Sequence, residues 1–389
     1  MPSSPAASLA TAAPYAPNVP LWAEDPGLDL PRLTGTRTAD VCVVGLGGSG
    51  LAAVHELLRL GRRVVALDAG PVAGGAAGRN GGFLLAGPAD FHHDAVARHG
   101  RERAVRLYRL TLDEIDRIAR ETPHAVRRAG SIRLAASPEE VEDCRAQLDA
   151  MRADGLPAEW YDGALGTGLR IPTDGAFQPM ARAHALARGA LGAGAALFAR
   201  SPAVSIVGDE VVAPEGRVRC RAVVVAVDGG LDRLLPELAP RVRTARLQML
   251  ATAPTDEVRV PCPVYARWGY DYWQQDAAGR VALGGCRDLA MEDEWTHDAS
   301  PTPFVQDALD RVLRERVGVR AAAVTHRWAA SVGYTDEGLP VLTEARPGVW
   351  AVGGYCGTGN VVGALCGRAA ARRAVGLPSE MLELVSREW

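Results

Sequence analysis

The chain reads as an α/β protein whose two domains interleave. Residues 40–68 run strand, glycine turn, helix, strand, acid. A glycine-dense passage follows directly at residues 74–83, and a strand, glycine loop and helix return near the C-terminus. Like elements at both ends, with other material between, describe interwoven rather than tandem domains. A chain of 389 residues is long enough for both cores.

Taken in order, Met1 to Pro20 is rich in Ala, Ser and Pro and has no basic residue. It is a poor signal peptide and is expected to be a disordered tail. Trp22 to Thr38 is a lead-in to the first strand. Val41 to Val44 is a short apolar run, expected to be a buried parallel strand. Gly45, Gly47, Gly48, Ser49 and Gly50 form the turn into a helix over Leu51 to Leu60, and Val64 to Leu67 is a second strand ending on Asp68 and Ala69. In this βαβ context Gly45 allows the tight turn, Gly47 lets the backbone approach a pyrophosphate, and Gly50 lets helix and strand pack closely. The helix N-terminus offers free N–H groups to the phosphates. Asp68 follows Gly50 by 18 residues, the place for a carboxylate that accepts from ribose hydroxyls.

Further on, Asp90 to Glu121 has a helical period. Ser137 as N-cap, Pro138 at N1 and Glu139-Glu140 open a helix to about Met151. Helices are also expected over Met180–Ala193, Thr302–Val317 and Val361–Val375, and strands near 203–207, 210–213, 222–227 and 349–352. The expected boundaries are a tail and lead-in at 1–36, a dinucleotide domain at 37–90, 170–240 and 325–389, and a second domain at 91–169 and 241–324.

Composition narrows the function. The chain is 48% hydrophobic and 23% charged with a net charge of −3, which gives no electrostatic case for nucleic acid or an anionic membrane. No apolar run approaches a membrane span. Seven scattered cysteines without a CxxC pair suggest a reduced, cytoplasmic setting and no metal site. All 43 basic residues are arginine. A genome of strongly biased base composition is the preferred reading of that pattern, and the pattern removes any lysine base, Schiff base or ammonium over a cofactor.

The βαβ unit alone leaves NAD and FAD open. The two further glycine passages favour FAD. Gly78-Arg79-Asn80-Gly81-Gly82 comes where the chain passes from pyrophosphate toward a flavin ring. Gly354 to Asn360, including Gly357, Thr358 and Gly359, opens a helix whose N-terminus would stabilise a reduced flavin.

With these motifs in place the chain resembles the FAD-dependent D-amino-acid oxidase superfamily, which includes glycine and sarcosine oxidases. Residues 78–82 resemble the gamma-glutamylputrescine oxidase branch. Further matches are Gln178-Pro179, Val204 on an adenine-side strand, Asp228-Gly229-Gly230 after a strand, Gly284-Gly285 before Arg287, and Trp328 before Gly333. The resemblance implies a GR2-type Rossmann-like FAD domain, a substrate domain on a mixed β-sheet with helices, and oxidation of an amine or amino acid by hydride transfer to flavin N5. Oxygen would then be the acceptor, giving hydrogen peroxide. It leaves open a dehydrogenase with another acceptor and a non-catalytic flavin subunit, and it says nothing of oligomeric state. Relatives with covalent flavin use cysteine or histidine where this chain has Trp328 to Ser331 and Arg79 to Gly81, so non-covalent FAD is expected. Some relatives also use a lysine over the flavin, which this chain lacks.

On the substrate side, Trp268, Tyr270 and Tyr272 alternate onto one strand face, with Trp273 opposite; they form a substrate wall or ordinary strand packing. Arg287 is either a carboxylate clamp or a partner of Asp288 or Glu292. His326 is a base or a hydrogen-bonded structural histidine. Tyr334 and Tyr355 are candidates to line the site, and Cys356 is a small filler.

Overall fold

The computed structural model describes residues 18–24 and 27–386, so most of the expected N-terminal tail lies outside the described residues. Two sheets organise the chain. The first has six strands in the order Ala196–Phe198, Val64–Leu67, Val41–Val44, Ala222–Val225, Val349–Gly353, Val341–Arg346. All neighbours are parallel except the last pair. Its three central strands are buried at every residue, which is why they read as unbroken apolar runs. Helices Gly48–Arg59, Pro179–Gly192 and Val362–Ala374 supply much of the core on one face. A four-stranded sheet, including Gly35–Thr38 and Ser205–Val207, lies beside the other.

The second sheet has eight strands, ordered Val324–Tyr334, Arg243–Thr252, Val281–Gly285, Asp271–Gln275, Val264–Ala266, Ser131–Leu134, Gly166–Ile171, Glu159–Gly163. It is mixed, since Val264–Ala266 and Ser131–Leu134 run parallel. Helix Pro303–Arg311 covers part of it through Val305, Ala308 and Leu309. The cross-sheet register lines up Met249, Gly284, Tyr272, Tyr265 and Arg133 as successive neighbours.

Several local expectations meet the structure directly. The Ser137 hydroxyl accepts from the Glu140 amide at 3.3 Å and starts helix Pro138–Ala153. The helical stretch at 90–121 is two helices, His92–His99 and Arg101–Glu121, because Gly100 sits at φ +82° between them. Two expectations need correction. Strand Val324–Tyr334 pairs with Arg243–Thr252 over most of its length, so it belongs to the second sheet, and a boundary at 325 cuts through that domain. Trp268 and Tyr270 do not share a strand with Tyr272: Arg267 and Trp268 both adopt left-handed conformations, and the strand begins only at Asp271.

Candidate functional site

Between the two sheets runs a cleft of about 1300 Å³. At one end the helix Gly48–Arg59 begins at Gly47 with no side-chain cap, and Gly47, Gly48 and Ser49 line the cleft. First-turn N–H groups there are donors without an intrahelical acceptor. Gly50 lies behind them; a Cβ on it would fall 1.9 Å from the Gly45 carbonyl oxygen, so only glycine fits. Asp68 accepts from Leu46 N at 2.7 Å and Gly70 N at 2.8 Å, which fixes the turn. Burial raises its pKa against those two bonds. Asp68, Ala69 and the 58%-exposed Val204 line the same end.

The passage at 76–83 is fastened from four sides. Trp22 Nε1 donates to the Asn80 carbonyl and Trp328 Nε1 to the Arg79 carbonyl, each at 2.7 Å. Gln274 Nε2 donates to the Gly81 carbonyl at 2.5 Å. Asn360 Nδ2 donates to Asn80 Oδ1 at 3.1 Å and to the Phe83 carbonyl at 2.9 Å, joining the early and late glycine passages. The Arg79 guanidinium donates to the Ala329 carbonyl at 2.7 Å and to Asn18, so its charge serves the scaffold.

Asp228 is the other fastening. Its carboxylate accepts from Gly333 N at 3.1 Å, Gly354 N at 3.0 Å and Tyr355 N at 3.4 Å. Burial outweighs these N–H groups and pushes its pKa up to about 6. One side chain thus holds the strand of the second sheet to the C-terminal glycine loop.

The opposite end is built from side chains. Arg287 is 7% exposed, and its Nε and Nη2 have no hydrogen-bond partner among the described residues. Its guanidinium carbon lies 4.1 Å from the Trp295 ring centre and 4.7 Å from that of Tyr334. Asp288, the partner expected of a purely structural arginine, pairs with Arg267 instead. Tyr272 lies across Gly284, where a Cβ would meet its ring at 2.4 Å, and packs edge-on to Phe83. Burial pushes the Tyr334 hydroxyl up to about 12 and raises those of Tyr272 and Tyr355 as well. These phenols are hydrogen-bond donors at neutral pH rather than bases.

The family described as FAD dependent oxidoreductase matches residues 40–373. The chain belongs to the FAD-dependent oxidoreductases. It is 28% identical to a probable oxidoreductase OrdL of Rhizobium meliloti (strain 1021), over 90% of this chain and 86% of that protein. It is 25% identical to a gamma-glutamylputrescine oxidoreductase of Escherichia coli (strain K12), over 87% and 84% of the two. The fold matches a crystal structure of glycine oxidase from Geobacillus kaustophilus with a TM-score of 0.76 at 21% identity, covering 90% of this chain and 99% of that one. The protein is therefore an FAD-dependent oxidoreductase.

This oxidoreductase has the features FAD needs. The uncapped helix end and the close glycine contacts suit a diphosphate, and the cleft continues past the fastened passages to the aromatic end. Most expected cofactor residues line it; Gly50, Gly78, Gly82, Gly229 and Gly354 lie behind the lining and shape its backbone. Arg287, Tyr270, Tyr272, Tyr334, Tyr355 and Cys356 line the cleft, as does Trp268, whereas Trp273 faces the sheet's other core. His326 does not line it. It sits on the same strand as Tyr334 but eight residues away, roughly 26 Å along an extended chain. Sequence reasoning missed Trp295, Asp174 and the anchoring roles of Asn18 and Trp22. The scarcity of aromatics is a signal that could have found both tryptophans; no spacing points to Asp174.

Proposed function

We propose that this oxidoreductase oxidises the C–N bond of an amino acid or small amine that carries a carboxylate, and that Arg287 binds that carboxylate. One observation carries the reading: a buried guanidinium stacked between two rings, with Nε and Nη2 unpartnered among the described residues, on the wall of the cleft. An unpaired buried charge costs several kcal/mol, and a carboxylate answers it bidentately. FAD, held at the uncapped helix start at Gly47 to Ser49 and by residues 79–81 and 357–360, would supply a two-electron acceptor for oxidation of the C–N bond, and oxygen would take those electrons on to give hydrogen peroxide.

The chain's own residues bind and orient. Trp295 and Tyr334 hold the guanidinium plane, and Tyr272 backs the reacting end and excludes water. The phenols stay protonated, so the substrate amine reaches the site already neutral, having lost its proton to solvent. The flavin is held non-covalently: Cys356, the one cysteine on the cleft wall among the described residues, has its thiol raised by burial and engaged with Thr335. Seven thiols with no disulfide support a cytoplasmic setting. No helix among the described residues is long and apolar enough to cross a membrane.

The test is anaerobic bleaching of the flavin absorbance across paired amines with and without a carboxylate. The reading predicts bleaching by carboxylate-bearing compounds; bleaching by carboxylate-free amines alone would sink it. The absence of lysine favours a second reading for the acceptor, a dehydrogenase, and peroxide yield against dye reduction in air separates the two.

A further inference from the structure

The cleft does not stop at Tyr272. It continues across the second sheet to a chamber lined by Tyr265, Tyr108, Asp174, His92 and Trp268. Tyr265 neighbours Tyr272 on the adjacent strand. Arg287 follows the next strand beyond, so the chamber starts two strand spacings from it, about 10 Å. The two ends differ in the groups they offer. Arg287 is a cation whose Nε and Nη2 have no acceptor among the described residues. Asp174 is an acid, 2% exposed, whose oxygens accept from Ser131 Oγ at 2.6 Å and Ala86 N at 2.8 Å, and no arginine or histidine pairs with it among the described residues. His92 Nε2 is engaged with Asp154 at 2.6 Å, and Nδ1 has no partner among the described residues. In the neutral imidazole with Nε2–H donating to the carboxylate, Nδ1 is an acceptor.

A second, independent feature stands at the mouth. Trp268 is 48% exposed and held at φ 53°, next to Arg267 at φ 50°. Two successive non-glycine residues in the left-handed region persist only where surroundings impose them. Here Arg267 is tied to Asp271 and Asp288, and Trp268 N donates to Glu140 Oε1 at 2.6 Å. The scaffold thus presents an indole at the cleft.

We propose that this chamber binds a cationic group, an ammonium or guanidinium, at the far end of a substrate whose carboxylate sits on Arg287. Asp174 and His92 Nδ1 accept from it, and Trp268 and the tyrosines offer it ring faces. The inference rests on the carboxylate reading above and narrows it to substrates that carry opposite charges at their two ends.

The experiment is calorimetric binding of 6-aminohexanoate and hexanoate to the FAD-loaded enzyme. The expected result is that the aminated acid binds at least ~10-fold tighter, the order of one charge-assisted hydrogen bond. In Asp174→Asn that ratio falls to about twofold or less. Trp268→Leu, at an exposed site, lowers it by a smaller factor of about 2–5 and covers the case in which Asp174→Asn does not fold. Equal affinities in the wild type, or a ratio unmoved by both variants, overturns the inference. Arg287→Leu separates it from its premise: weaker binding of both acids upholds the carboxylate reading, and unchanged binding of both overturns that reading and this one with it.

Discussion

The two ends of the cleft are made differently. The phosphate end is made of backbone: an uncapped helix start, a carboxylate spent on two turn amides, and glycines whose neighbours leave no room for a Cβ. The other end, which we propose is the reacting end, is made of side chains from segments far apart in sequence, with Arg287, Trp295 and Tyr334 stacked together and Tyr272 backed by Gly284. Two arginines make the contrast concrete. Arg79 lies inside the glycine motif and donates to Ala329 and Asn18, whereas Arg287 lies outside any strong motif and its Nε and Nη2 have no partner among the described residues. A backbone-built site tolerates no change of shape, while a side-chain-built site tolerates change but loses chemistry.

The sharpest test of that division is Gly50→Ala. Its Cβ would meet a carbonyl oxygen at 1.9 Å with no flexible side chain to yield. The expected loss is more than about 4 kcal/mol, at the far end of the range for single substitutions. It would be read as insoluble or flavin-free protein on purification. A soluble, yellow variant would mean that this end adapts after all. Arg287→Leu comes next and should do the reverse. FAD content and melting temperature should hold, while kcat/KM for a carboxylate substrate falls by about 10²–10³-fold, or roughly 3–4 kcal/mol, as for losing one partner of a desolvated charge pair. If flavin content falls with activity, the two ends are not separable.

Asp228 joins the ends and should have an intermediate effect. Its folded pKa of about 6 lies above the usual carboxylate value of 3.8, so the fold disfavours the charged form. Its contribution to stability is therefore full below about pH 4 and is lost as pH rises through 6, a swing on the order of 3 kcal/mol. Asp228→Asn should flatten that part of the denaturation-versus-pH curve. It should also cost about 1–3 kcal/mol at low pH, since an amide cannot accept from all three N–H groups. A curve of unchanged slope would place the titration elsewhere.

The same division explains what the sequence made legible. The βαβ unit could be read because strand, turn, helix and acid are contiguous and each obeys a local rule, as does the Ser137 cap. The pairing of Val324–Tyr334 with Arg243–Thr252 could not, because nothing local says which sheet a strand joins. Trp268 and Tyr270 left the strand because Arg267 finds Asp271 and Asp288, a tertiary preference that overrides alternation. Arg79 lines the cleft with its neighbours, but the partners that hold its guanidinium are 61 and 250 residues away and no local rule names them. Trp295 stacks on both Arg287 and Arg243 with no spacing to announce it.

The smallest expected effect concerns the phenols. If Tyr272 or Tyr334 were the base, its removal would abolish the pH dependence of the reductive step. Burial raises both hydroxyls, Tyr334 to about 12, so neither loses its proton near neutrality. The rate of anaerobic flavin reduction should then rise with pH along the titration of the substrate's own amine. Tyr272→Phe and Tyr334→Phe should keep that limb and slow the step by less than about tenfold, the scale of one hydrogen bond. Substrates of lower amine pKa should shift the limb to lower pH by the same amount in wild type and variants. A limb that stays fixed while the substrate changes would assign the proton to a group of the protein, and the reacting end would need a base that the present geometry does not supply.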